Sequence, residues 1–257
     1  MLPRLKSPIV LAHGLLGFAR MAVRGIELAT YFRGIPRFLE QAGNRVILSA
    51  VPATGSIASR AESLKRAILA HADREPVHVI AHSMGGLDAR HMITHLGMAG
   101  NVLSLTTLGT PHRGTCFADT GVDFTEKIGL FGWLRRSPIN HEAFEDLRTD
   151  AAARFNAETP DSPKVRYFSV AGSKRRHEML YALRFSYDLI APTEGPNDGL
   201  VSVRSAKWGE ILGEWNCDHV NMVGWTGPRE RLLGYSIDVR PKYREIVERL
   251  AINVAES

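Results

Sequence analysis

The stretch Val77-His-Val-Ile-Ala-His-Ser-Met-Gly-Gly86 admits few backbone solutions. Its apolar and β-branched run through Ala81 reads as a buried strand. The residues from Met84 to Leu96 read as a helix. Ser83 between them must stand at a sharp strand-to-helix turn. Ala81 and Gly85, two positions to either side, leave room there that larger side chains would deny to a strained backbone. A hydroxyl presented in this way is a candidate nucleophile. The pentad alone is a weak motif, so the weight rests on its surroundings.

Those surroundings alternate. Pro8 to Ala12 is a short apolar run closed by Gly14, and Arg45 to Ala50 repeats the pattern. Ile57, Ala61, Leu64 and Ile68 then recur at helical spacing, with Arg60, Glu62, Lys65 and Arg66 expected on other faces. Val102 to Leu108 and Val165 to Val170 read as further strands. Tyr243, Ile246, Val247, Leu250 and Val254 share one face of a closing helix. Strands alternating with helices predict an α/β fold with a mainly parallel sheet. The 257 residues suit one such domain. The alternation lapses over 115–163, where helices near Phe124 to Leu134 and Glu142 to Asn156 are expected as an insertion.

A serine nucleophile needs a base and an acid that orients the base. In an α/β-hydrolase these follow in the order serine, acid, histidine. Asp198, in Gly195-Pro-Asn-Asp-Gly-Leu-Val201, sits at a turn suited to holding a carboxylate. Asp188 is its chief competitor. His219 lies in the polar stretch Asn216-Cys-Asp-His219, ahead of the closing segment, and is the candidate base. Adjacent Asp218 should point away from that imidazole. His82, beside the serine, is expected to point away from it into the packing of the turn. Attack on an ester carbonyl places charge on its oxygen, and the backbone N–H groups of Leu15 and Met84 are the candidate donors to it.

Taken together, His13-Gly-Leu-Leu-Gly17, Ala81-His-Ser-Met-Gly-Gly86, Thr106-Thr-Leu-Gly-Thr-Pro-His-Arg-Gly114 and Asn197-Asp-Gly-Leu-Val201 resemble the bacterial family I true lipases. The resemblance runs in order from about Pro8 to Leu250. It implies an α/β-hydrolase fold with a helical lid-like insertion and hydrolysis of triacylglycerols or long-chain esters. It gives Ser83, Asp198 and His219 as triad and Leu15 and Met84 as oxyanion donors. No cofactor is implied for catalysis. Calcium-containing members carry an aspartate two positions after the histidine and a glutamine four residues later. Here those places hold Asn221 and Trp225, which argues against a structural calcium. Cys116 and Cys217 do not fall where the family's disulfide cysteines do.

Hydrophobic residues make up 44% of the chain and charged residues 23%, ordinary values for a globular protein. A formal net charge of +5 comes without a Lys/Arg run or a nucleic-acid motif, so a solvated basic surface is expected and no nucleic-acid partner. No apolar stretch reaches the roughly 18 residues of a membrane span, so no integral membrane segment is expected. The few residues before Pro8 hold no secretory signal, which is the pattern of an intracellular or a trimmed secreted chain. Ile128, Leu130, Phe131, Trp133 and Leu134 form an apolar cluster in the insertion. It reads equally as a lid that opens at a lipid–water interface or as a helix packed on the core. The expected partner is a lipid ester. A short-chain carboxylesterase, a polyester hydrolase and a non-catalytic binding module stay open beside the lipase.

Overall fold

A computed structural model of the chain describes residues 2–15, 20–23, 26–53, 55–120 and 141–252. Among these residues six strands form one sheet in the order β4-β1-β5-β6-β7-β8, every pair parallel. They are β1 (Ile9–Ala12), β4 (Val46–Leu48), β5 (Val77–His82), β6 (Val102–Leu108), β7 (Arg166–Gly172) and β8 (Glu210–Trp215). Between β1 and β4 an antiparallel hairpin, β2 (Arg20–Val23) and β3 (Ile26–Thr30), stands apart from the sheet. The sequence pattern had not indicated it: two strands this short offer little periodicity to read.

The period-2 alternation of parallel strands splits the core between the two sheet faces. On one face Ile9, Leu11, Ile80, Leu108, Phe168 and Val170 pack against α1 (Ile35–Glu40) and the closing helix, here α10 (Arg240–Ile252). Tyr243, Ile246, Val247 and Leu250 are the buried face of α10, as their spacing required, while Val254 lies outside the described residues. On the other face Val10, Ala12, Val79 and Ala81 meet α2 (Ile57–His71) and α3 (Gly85–His95).

The α2 periodicity holds with one correction. Ile57, Ala61, Leu64 and Ile68 are buried, and so is Arg60, expected on a solvated face. Its guanidinium pairs with Asp88 of α3 at 2.8 Å and donates to the carbonyls of Pro52 and His13. A charge enters the interior only when its donors are satisfied, and these three acceptors come from distant parts of the chain.

Between β6 and β7 lie α4 (Cys116–Asp119), α5 (His141–Glu145) and α6 (Thr149–Glu158). The helix expected over Glu142 to Asn156 is thus two pieces. The expected helix at Phe124 to Leu134, with its apolar cluster, falls outside the described residues. Beyond β7, α7 (Arg184–Glu194) had escaped the sequence pattern because Pro192 sits inside it. Short helices α8 (Val203–Ala206) and α9 (Pro228–Leu232) flank β8. Among the described residues no helix is long and apolar enough to cross a membrane, and both cysteines are free thiols.

Among the described residues five histidines are buried, and besides His219 these are His13, His78, His82 and His112. Burial lowers His13 and His78 to about 4 and puts His82 and His112 well below the ordinary imidazole range. The unfolded chain takes up these protons near pH 6.5, and the folded chain only well below that, near pH 4 at His13 and His78. The stability they contribute is therefore present above pH 6.5 and lost as pH falls toward 4. His13 alone accounts for about 2 kcal/mol at pH 4.5. Buried Asp88 and Asp218, shifted upward by desolvation, act in the opposite sense but are outnumbered. Urea melts at pH 7 and pH 4.5 should show a midpoint clearly lower at the acid pH. Equal midpoints would mean that these imidazoles are not buried as neutral groups.

Candidate active site

Ser83 follows β5 at the carboxyl end of the sheet with φ 56°, a left-handed conformation that a non-glycine residue holds only under constraint. The constraint is visible. Ser83 N–H donates to the Leu108 carbonyl at 2.9 Å, and the Ser83 carbonyl accepts from Thr110 Oγ1 at 2.7 Å and from the Gly86 N–H at 3.0 Å. The glycines around the turn are sterically required. A Cβ on Gly85 would lie 2.8 Å from the His13 carbonyl oxygen, and one on Gly14 would lie 2.6 Å from Ser83 Cβ. The loop after β1 thus rests directly on the serine. Leu15 in that loop and Met84 pack in one small apolar cluster with Leu87 and Ala143.

Asp198 is fully buried. One carboxylate oxygen, Oδ1, accepts the N–H groups of Leu200 at 2.9 Å and Val201 at 2.8 Å. The other, Oδ2, accepts from His219 Nδ1 at 2.7 Å, and the His219 N–H donates to the Asp198 carbonyl at 2.9 Å. Donation through Nδ1 leaves Nε2 with its lone pair, the state a base requires. Gly109, at φ 54°, allows this approach, since a Cβ there would meet Asp198 Oδ2 at 2.9 Å and His219 Nδ1 at 3.4 Å. Gly109 follows Leu108, whose carbonyl holds Ser83. The three residues chosen from sequence therefore gather at one end of the sheet.

The rival acid is elsewhere. Asp188 is a half-exposed residue of α7 in a two-pronged pair with Arg176 at 2.6 Å. Asp218 turns from the imidazole, as its position implied, and accepts from the N–H groups of Leu180 and Asn221.

His82 does more than fill the turn. Its Nε2–H donates to the His219 carbonyl at 3.0 Å, Tyr31 Oη donates to its Nδ1 at 2.7 Å, and its ring centroid is 4.4 Å from that of His219. A carbonyl can only accept, which fixes the tautomer. Arg60 and Asp88 were likewise missed. They join α2, α3 and the His13 carbonyl, so they brace the loop that carries Leu15. Their signal was a lone arginine and a lone aspartate inside apolar helical faces.

Known proteins similar to this chain bear on its family and fold. Residues 53–202 match the PGAP1-like alpha/beta domain family. Triacylglycerol lipase 2 of Saccharomyces cerevisiae is 35% identical over 243 residues, covering 86% of this chain and 73% of the yeast protein. The chain belongs to the triacylglycerol lipase family. A triacylglycerol lipase of Vibrio cholerae is 28% identical over 85% of the chain and 80% of its own length. Among solved structures, the Staphylococcus hyicus lipase superposes with a TM-score of 0.76 at 20% identity, covering 99% of this chain and 98% of that one. A metagenomic carboxyl esterase also reaches 0.76, at 22% identity, over 95% of this chain and 76% of its own. The lipase-family chain thus has the α/β-hydrolase fold read from its sequence.

Proposed function

We propose that the chain hydrolyses carboxylic esters of lipids, triacylglycerols foremost, through an acyl-enzyme on Ser83. The observation that carries this is the buried Asp198–His219 pair, which the residue preceding the strained Ser83, His82, holds by a hydrogen bond to the His219 carbonyl. The names of the relatives supply the substrate class.

His219 removes the Ser83 proton as Oγ attacks the ester carbonyl, then returns it to the departing alcohol; water repeats the sequence on the acyl-enzyme. Asp198 fixes the imidazole tautomer and stabilises its charged form without taking the proton. The Leu15 and Met84 N–H groups receive the charge that develops on the carbonyl oxygen. The reaction asks for no metal or cofactor at these atoms.

We assign residues 115–163 to a cap over this site. Ala143 of the insertion packs against Met84 and Leu15, the two proposed donors, so the insertion reaches the oxyanion loop. Opening of such a cap at a lipid surface would expose the acyl groove. Rates on emulsified triacylglycerols and on p-nitrophenyl esters of increasing acyl length test both points. Fatty-acid release from long-chain emulsions is expected, with a rise in rate above the solubility limit of the ester. Turnover confined to short soluble esters would make the chain a carboxylesterase. A smooth saturation curve through the solubility limit would reject the opening cap.

A further inference from the structure

The loop carrying His219 is held by a buried cation that belongs to the chain itself. Lys174, just beyond β7, is 4% exposed. Its Nζ donates to Asn221 Oδ1 at 2.7 Å and to the Tyr235 carbonyl at 3.2 Å, and lies 4.0 Å from Asp218 Oδ2. Asp218 and Asn221 are as buried as the lysine. A carboxylate, an amide oxygen and a main-chain carbonyl converge on one point, the oxygen set that a hard cation gathers. Without a positive charge there, the Asn221 amide oxygen and the Tyr235 carbonyl would each lose a donor and the Asp218 carboxylate its neighbouring counter-charge in a low-dielectric interior.

Calcium does not fit this place. It would need about six to eight oxygens within roughly 2.6 Å. Here each oxygen of Asp218 already accepts a backbone N–H, from Asn221 and Leu180, and Asn221 Oδ1 accepts the ammonium. The Asn221 side-chain N–H donates in turn to the Trp225 carbonyl at 2.7 Å, closing the loop around the lysine head group.

We propose that the Lys174 ammonium does in this chain what a bound divalent ion would do, fixing the His219 loop without metal. Lys174 is thus a positioning residue. Its backbone N–H donates to the carbonyl of Asn197, next to Asp198, at 3.4 Å, while its ammonium grips Asn221, two residues after His219. One residue thereby ties together the flanks of acid and base. The proposal rests on the reading of Asp198 and His219 as an orienting pair.

The test has two arms. In the first, thermal unfolding of the wild-type chain is followed in EDTA and after addition of calcium chloride alone, with no ester present. The transition is expected to stay where it is. A transition that falls in EDTA and recovers with calcium would overturn the proposal, and this arm stands whether or not Ser83 is the nucleophile. In the second, Lys174→Met removes the charge at similar length and Lys174→Arg keeps it. Well below the melting temperature, Lys174→Met should lose about 10- to 100-fold in kcat at nearly constant KM, because the imidazole is misplaced rather than the substrate pocket. Lys174→Arg should recover most of that loss. Wild-type kcat in a folded Lys174→Met chain would overturn the positioning role. Should the Met variant not fold, an Arg variant that folds but gains calcium dependence would overturn it equally.

Discussion

Ser83→Ala should leave a folded chain whose ester turnover is lower by roughly 10⁴- to 10⁶-fold. Alanine keeps the Cβ of serine, so the packing of Gly14 against it, 2.6 Å from an added methyl there, is unaltered. The left-handed backbone at this position is enforced by hydrogen bonds to Leu108, Thr110 and Gly86 that do not use the side-chain hydroxyl. Only Oγ is lost, and with it the acyl-enzyme. Residual catalysis by oxyanion donors and binding sets the floor. Steady-state rates on a p-nitrophenyl ester, with a circular dichroism melt as control, measure this. Turnover within tenfold of wild type would remove the acyl-enzyme mechanism.

Asp198→Asn should cost about 10⁴-fold in kcat. The substitution is nearly isosteric, and its amide oxygen can still accept from the Leu200 and Val201 N–H groups. The amide nitrogen then faces His219 Nδ1 and donates to it, which reverses the tautomer and places the proton on Nε2, where the lone pair is needed. The melting temperature should change far less than the rate. Asp188→Asn is the control: an exposed partner of Arg176, it should leave kcat within about twofold, as surface changes commonly do. A larger loss at Asp188 than at Asp198 would reverse the assignment of the acid.

What could be read from the chain and what could not follow from the range of the interactions. The β5–Ser83–α3 turn was legible because its requirements are local: an apolar strand, small residues at 81 and 85, and a helix start. Asp198 was legible from its turn residues and His219 from its place in the order. Arg60 was misplaced because helical periodicity assigns a charge to the outside unless an acceptor lies inside, and its acceptor Asp88 is on another helix. His82, at the end of β5, and Lys174, just beyond β7, act on the loop around His219 at separations that no local pattern records. Gly109 looked like part of a motif, yet its need for glycine comes from Asp198 and His219, which reach it only in the folded sheet.

The most direct test of the central claim is covalent. A fluorophosphonate probe reacts with a serine only when a neighbouring base activates it. Peptide mapping of the labelled wild-type chain should place a single adduct on Ser83, formed in parallel with loss of ester hydrolysis and absent from Ser83→Ala. An adduct on another residue, or full inhibition without modification of Ser83, would contradict the account.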